Sequence, residues 1–298
     1  MIFKFADLVL SLFLLIAGAV GVRAFILYRR LQALKEGLYP ARLRITVADK
    51  LFAQDALGYF EDVSFCTQDG LILRAWYKPS QNGAAVVFIH GKSNNRHVLV
   101  EEAAAVSRQG IGVLLYDSRA CGESDGHLHT WGDQEQLDLK AALGYLASRP
   151  EVDSVRIGVH GFSVGANTAV LVAVTDVRIK ALVLSGPCPS LAVYLRHIAS
   201  RPKFLMVWFL RRMYRKAGVP VNQISLIENI AALAPRPLLM IRGTGSITVP
   251  VGMAQSLFDA AKEPKELLVI EGADHTDYAT VGGELYFSKI AQFFTSHL

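Results

Sequence analysis

The chain contains few cysteines, and their spacing matches neither a metal-binding nor a disulfide pattern. Its three cysteines, Cys66, Cys121 and Cys188, are odd in number, widely separated and without a CxxC spacing. They support neither a disulfide scaffold nor a zinc site, so we interpret them as free thiols in a reducing compartment. The chain also lacks internal repeats and low-complexity tracts, which argues against a solenoid or a compositionally biased protein.

Acidic residues are missing from one long segment. The 298 residues are 52% hydrophobic and 19% charged, enough for one large α/β domain or two small ones, and the net charge is +5. No Asp or Glu occurs from Gly186 to Ile227, whereas basic residues cluster between Arg196 and Lys216. Apolar residues from Phe204 to Leu210 lie within that cluster. This mixture favours an anionic lipid surface or an acyl pocket over nucleic acid. The alternative is a packed helix with a solvated basic face.

A long apolar stretch lies near the N-terminus, from Phe5 to Tyr28. A helix needs about 20 apolar residues to span a bilayer, and this stretch suffices if Arg23 extends towards the headgroups. We therefore predict a single-pass membrane anchor over residues 1–30. A signal peptide cleaved near Ala17-Gly18-Ala19 is the alternative, but Asp7 and the continuing apolar run argue against it. Basic residues mostly follow the span, which predicts that the remaining chain is cytoplasmic.

Strand-like and helical patterns alternate from residue 59 to residue 298, after a polar connector over 31–58. Asp69-Gly70 predicts a hairpin between two strands, and further short apolar runs are typical of strands buried on both faces. Helical patterns separate most of these runs, which predicts a mostly parallel sheet of about eight strands. The exception is an excursion over about 186–236, which we interpret as a mostly helical cap over the strand ends.

The sequence Gly161-Phe162-Ser163-Val164-Gly165 is a G-x-S-x-G motif and contains the candidate catalytic serine. It lies between an apolar run of strand length and a helical pattern, as required of a nucleophile elbow. Glycines on either side of the serine allow strand and helix to approach closely. The motif therefore predicts Ser163 as the nucleophile.

Two further positions complete the predicted machinery. His90-Gly91 ends an earlier strand, so the backbone amides of Lys92 and Val164 are the expected oxyanion donors. His275 directly follows the last predicted strand, and it occupies the place of the general base in the order serine, acid, histidine.

These blocks together resemble the α/β-hydrolase superfamily from about Tyr59 to Leu298. The chain is most similar to membrane-anchored, lysophospholipase-like or serine aminopeptidase-like hydrolases. The blocks that carry the resemblance are Glu61–Phe65, His90-Gly91, Asp117–Ser124, Gly161–Gly165 and Gly272–His275. The resemblance implies an α/β-hydrolase fold, and it says little about the substrate.

The chain departs from this pattern at the catalytic acid. Such hydrolases carry Asp in a G-x-x-D-x-x-V-P context, and this chain has Ser246 in Gly243–Pro250. Three interpretations remain open. Ser163 and His275 act as a dyad with Ser246 or water orienting the imidazole; Asp277 or Asp274 replaces the acid; or the site is retained for binding.

The sequence therefore predicts a serine hydrolase that cleaves an ester or thioester of an apolar acyl group. The expected substrate is a small-molecule or lipid-like acyl compound, and neither a cofactor nor a nucleic-acid partner is expected. A serine peptidase is one alternative. The other is a membrane-tethered, catalytically weak relative that binds a ligand or partner.

Overall fold

The computed structural model describes residues 43–199 and 203–298. The predicted anchor over residues 1–30 lies outside these residues. The helices are α1 (Val47–Leu57), α2 (Val100–Ser107), α3 (Glu135–Ala147), α4 (Val164–Ala173), α5 (Leu191–Ile198), α6 (Lys203–Lys216), α7 (Val251–Ala260) and α8 (Tyr278–His297). Among the described residues, no helix has both the length and the apolar character needed to cross a bilayer.

The strands form one sheet. They are β1 (Glu61–Cys66), β2 (Ile72–Lys78), β3 (Gly83–Ile89), β4 (Gly112–Tyr116), β5 (Val152–Phe162), β6 (Ile179–Ser185), β7 (Leu238–Gly243) and β8 (Lys265–Ile270). Their order is β1-β2-β4-β3-β5-β6-β7-β8. Strand β2 runs antiparallel to β1 and β4, and all other neighbours are parallel. The prediction of a mostly parallel, eight-stranded α/β sheet is confirmed.

The central strands are covered by helices on both faces. Alternate residues of β3 belong to two different core clusters, with Val87 on one face and Phe88 on the other. Helices α3 and α4 contribute to the first cluster, and α2 and α8 to the second. Burial on both faces explains why these strands are nearly continuous apolar runs in the sequence.

Helix α1 lies in the stretch that the sequence analysis interprets as a connector. Thr46 and Asp49 form a reciprocal capping box at its N-terminus, and Ala53 and Leu57 are buried against the core. The sequence contains the capping residues, but exposed apolar side chains such as Val47 obscure the amphipathic pattern. The packed structure therefore includes part of the predicted connector.

The excursion between β6 and β7, interpreted from the sequence as a cap, carries helices α5 and α6. Leu195 of α5 and Leu210 and Tyr214 of α6 are buried in a small separate cluster. That cluster also contains Trp131 and Val164, so the cap packs beside the first residue of α4. It lies near the nucleophile elbow for that reason.

Candidate active site

Ser163 occupies the turn between β5 and α4. Its backbone φ is 54° and its ψ is −113°, a conformation that is strained for a residue with a side chain. The Ser163 N–H donates to the Ser185 carbonyl at 2.8 Å, which holds the turn against the end of β6. Strain of this kind is typical of a nucleophile that must project from the sheet.

The two glycines of the motif are required by close backbone contacts. A Cβ atom at Gly161 would lie 2.5 Å from the Gly165 carbonyl oxygen. One at Gly165 would lie 2.3 Å from the Ile89 carbonyl oxygen. A side chain at either position would push α4 away from the sheet, so these contacts explain the G-x-S-x-G spacing.

His275 lies directly beside the nucleophile. Its Nε2 is 2.8 Å from the Ser163 Oγ, and the residue is 7% exposed. Burial lowers the pKa of His275, while the nearby Asp274 carboxylate partly opposes that shift. The imidazole is therefore neutral at pH 7, and with its proton on Nδ1 its Nε2 accepts a hydrogen bond from the Ser163 hydroxyl.

None of the candidate acid-position residues contacts that Nδ1. The Nδ1 of His275 is buried and has no hydrogen-bond partner among the described residues. Ser246 Oγ instead accepts from the Val249 N–H at 3.1 Å. Asp274 accepts from the His275 backbone N–H at 2.7 Å, and the Asp277 Oδ1 is itself buried without a partner. The structure thus brings Ser163 and His275 together, and among the described residues it places no acid at the His275 Nδ1.

The end of β6 offers no acid either. Gly186 lies against the imidazole, and a Cβ atom there would be 2.8 Å from the His275 Cε1 and 3.0 Å from its Nδ1. A side chain at Gly186 would therefore displace the histidine. Neither Ser246 after β7 nor Gly186 after β6 therefore supplies a hydrogen-bond partner for the His275 Nδ1.

A cavity of about 210 Å³ opens beside Ser163. Its wall is formed by Lys92, Asn94, Trp131, Phe162, Ser163, Val164, Asn167, Cys188, Tyr194, Thr248, Val249, His275 and Thr276. The predicted oxyanion residues Lys92 and Val164 thus line the same cavity as Ser163 and His275. Val164 is the first residue of α4, where the helix leaves its amide without an intrahelical acceptor.

Cys188 is a second potential nucleophile in this wall. Burial raises its pKa to about 12, and its Sγ is 3.6 Å from the Ser190 carbonyl oxygen. The thiol is therefore protonated at neutral pH and cannot act as a thiolate.

Buried polar groups hold the loops around the cavity. His90 donates from Nδ1 to the Gly91 carbonyl at 2.7 Å and accepts the Ser118 N–H at Nε2, at 3.0 Å. The Asp117 carboxylate accepts the backbone N–H of Arg96 at 2.7 Å and of Glu123 at 2.9 Å. These bonds fix the loops after β3 and β4, which positions Lys92 without any direct chemistry by His90.

Two aromatic residues of the cavity wall have no signal in the sequence. The rings of Trp131 and Tyr194 lie 5.0 Å apart, with the Lys92 Nζ 5.4 Å from the Trp131 ring centre. Trp131 belongs to the loop after β4 and Tyr194 to the cap. Their contact joins segments that are distant in the sequence, so no local motif indicates it.

The sequence and structure are similar to those of known hydrolases. Residues 80–234 match the family model described as serine aminopeptidase, S33. The uncharacterized protein Rv2307c of Mycobacterium tuberculosis is 34% identical over 247 residues, covering 82% of each chain. The polyketide transferase grgF of Penicillium is 26% identical, covering 80% of this chain and 96% of its own.

A solved structure extends the comparison. The Pyrococcus furiosus esterase Pf2001 is similar with a TM-score of 0.71 and 26% sequence identity. The match covers 88% of this chain and 98% of the esterase.

Proposed function

Because the chain belongs to the serine aminopeptidase S33 family of α/β-hydrolases, we propose that it cleaves an ester or thioester of an apolar acyl group. The observation that carries this proposal is the 2.8 Å contact between the Ser163 Oγ and the His275 Nε2 at the nucleophile elbow. The similarity to an esterase and to a polyketide transferase supports acyl chemistry. The apolar and aromatic residues of the cavity wall suit an acyl group.

The proposed reaction has two halves. The Ser163 Oγ attacks the carbonyl carbon while its proton passes to the His275 Nε2, and the amides of Lys92 and Val164 bind the oxyanion. Collapse expels the alcohol or thiol, which takes the proton from His275. Water then attacks the acyl-serine with His275 as base, and the acid is released.

The unpartnered Nδ1 limits the proposed rate. In serine proteases, replacing the acid that orients the histidine by its amide lowers turnover roughly 10⁴-fold. We therefore propose a slow Ser163–His275 dyad. The same observation supports a second candidate, a catalytically weak protein that binds a ligand. A peptidase activity, suggested by the family description, is a third.

Fluorophosphonate labelling tests the proposal, because such probes react with activated serines. We expect the wild-type protein to be labelled, and to hydrolyse short p-nitrophenyl esters faster than aminoacyl p-nitroanilides. The Ser163→Ala variant should be neither labelled nor active on these esters. The matched control is Cys188→Ala, which removes the other nucleophile of the cavity wall and should still label. Folded wild-type protein that neither labels nor cleaves any ester would favour the binding candidate. Faster cleavage of the anilides would favour the peptidase.

We also propose that residues 1–30 anchor the protein in a membrane, with the hydrolase domain in the cytoplasm. The support is the apolar length of Phe5 to Tyr28 and the basic residues that follow it.

A further inference from the structure

Helix α6 has two different faces. Leu210 and Tyr214 point into the small core of the cap and are almost completely buried. Phe204 and Trp208 lie on the opposite face, where they are 72% and 63% exposed. Exposure of two large aromatic residues on one helix face costs solvation free energy, so such a face commonly marks an interaction surface.

Arginines surround these aromatic residues. A groove of about 690 Å³ is lined by Phe204, Val207, Trp208, Arg196, Arg211, Arg212 and Arg215, which we call the cap surface. The Arg212 guanidinium lies 5.9 Å from the Trp208 ring centre. Within the described part of the chain, none of the four arginines forms an ion pair. No Asp or Glu occurs from Gly186 to Ile227, so no acidic residue of the same segment compensates this positive charge.

We propose that the cap surface docks on an anionic lipid bilayer. Exposed aromatic side chains interleaved with basic ones match the interface of such a bilayer, where rings enter the headgroup region and cations bind lipid phosphates. A second copy of the chain is a poor occupant, because it would bring arginines against arginines.

The cap surface is connected to the rim of the catalytic cavity. His197 follows Arg196 in α5, and its Nε2 donates to the Ile247 carbonyl oxygen at 2.8 Å. Ile247 is 77% exposed and immediately precedes Thr248 and Val249, which line the cavity. Docking therefore brings the cavity rim towards the lipid headgroups. If the proposed function holds, the substrate is an acyl ester taken from the bilayer.

Tryptophan fluorescence can test docking on the full chain. The three tryptophans are Trp76, Trp131 and Trp208, and the first two are 0% and 5% exposed. Brominated acyl chains quench a nearby indole, so quenching reports on Trp208. We expect quenching in vesicles that contain phosphatidylglycerol, and much weaker quenching in pure phosphatidylcholine or at high salt.

The charge variant is Arg212→Gln, Arg215→Gln and Lys216→Gln together. It should lower the ratio of docked to undocked protein by roughly 100-fold, about fivefold for each basic side chain. A matched control removes three exposed charges elsewhere, at Arg108, Lys140 and Lys262, and should dock like wild type. Ser163→Ala should also dock like wild type, because docking does not need the nucleophile.

Each outcome decides between docking and its alternatives. The proposal is supported if quenching requires anionic lipid and is lost in the charge variant but not in the two control variants. Membrane-bound protein with unquenched Trp208, or quenching that is equal without phosphatidylglycerol, overturns it. Hydrolysis of soluble p-nitrophenyl esters is measured in parallel. Active protein that fails to dock overturns docking alone, and docked protein that is inactive overturns the proposed hydrolysis alone.

Discussion

At the scale of single residues, position 246 carries a hydroxyl group where the resemblance implies a carboxylate. The Ser246 hydroxyl accepts the Val249 N–H, as a carboxylate at this position could also do. This bond holds the β7–α7 loop, while the His275 Nδ1 lacks a partner among the described residues. In the proposed Ser163–His275 dyad, a hydroxyl at this position would contribute no charge to stabilise the imidazolium.

Ser246→Asp should raise turnover on p-nitrophenyl esters by roughly 10- to 1,000-fold, less than a full triad provides because the loop is not shaped around a carboxylate. It should also move the acidic limb of the pH profile. In wild type, burial holds the pKa of His275 below 6.5, so activity rises with pH below neutrality. A carboxylate beside Nδ1 favours the imidazolium, so the limb of the variant should shift to higher pH. Steady-state kinetics from pH 4 to pH 9 measure both effects.

Ser246→Asn is the matched control, since it has the shape of the acid without its charge and should give no gain. A different result would relocate the acid. If Ser246→Asp gains nothing while Asp277→Ala or Asp274→Ala abolishes activity, one of those carboxylates moves to His275 during turnover.

Local motifs explain why some site residues are predictable and others are not. Ser163 is recognisable because close backbone contacts require Gly161 and Gly165 around it. His275 is recognisable from its place after the last strand. The missing partner of the His275 Nδ1 is not predictable from the sequence, because the Ser246 hydroxyl can form a hydrogen bond either with the imidazole or within its own loop. Its bond to the Val249 N–H becomes visible only in the structure.

At the scale of elements, the packing of α2 against α8 contains a buried carboxyl group. Glu102 of α2 is 5% exposed, and its Oε1 accepts the Tyr286 hydroxyl of α8 at 3.0 Å. Burial raises the pKa of Glu102 to about 7 from its ordinary value of 4.5. Hydrogen bonds from Tyr286 and from the backbone do not offset the cost of burying the charge, so the carboxyl remains protonated in the folded protein up to about pH 7.

This group should make stability fall as pH rises. Below pH 4.5 the carboxyl is protonated in both states; from there to about pH 7 the unfolded chain loses the proton and the folded protein keeps it. Glu102→Gln keeps the acceptor for Tyr286 and has no charge. We expect equal stability of wild type and variant at pH 4. At pH 8 the variant should be more stable by roughly 3 kcal/mol, measured by urea unfolding.

Glu101→Gln, one residue earlier on α2 and exposed, is the control and should change little. A Glu102→Gln variant that loses more stability at pH 8 than at pH 4 would show instead that the carboxylate is charged and stabilising in the folded protein. An equal change at both pH values would show that folding does not shift the pKa of Glu102.

Elements also differ in how well the sequence predicts them. The central strands are predictable because burial on both faces makes each a continuous apolar run. Helix α1 is not, because it buries few side chains and exposes Val47 and Leu51. Helix α8 starts at Tyr278, and a break at Gly283 separates its first turn from the rest of the helix, which obscures a continuous helical pattern in the sequence.

At the scale of the whole molecule, the predicted anchor and the cap surface would act on the same membrane by different physics. A spanning helix is held by burial of apolar surface, which salt does not weaken. The cap surface depends on arginines, whose attraction to lipid phosphates is screened by salt. Anchored protein would therefore dock and undock its cap as ionic strength or lipid charge changes, while remaining in the membrane.

The full chain should sediment with membranes after high-salt and alkaline carbonate washes. Replacing Leu14 and Ile16 by Arg places two charges near the centre of the apolar stretch. Each costs roughly 3 kcal/mol at that depth, so the variant should be found in the soluble fraction. The charge variant of the cap surface should remain as resistant to washing as wild type, because its anchor is unchanged. Wild-type protein released by carbonate would contradict the anchor, and mature protein shortened near Ala19 would identify a cleaved signal peptide.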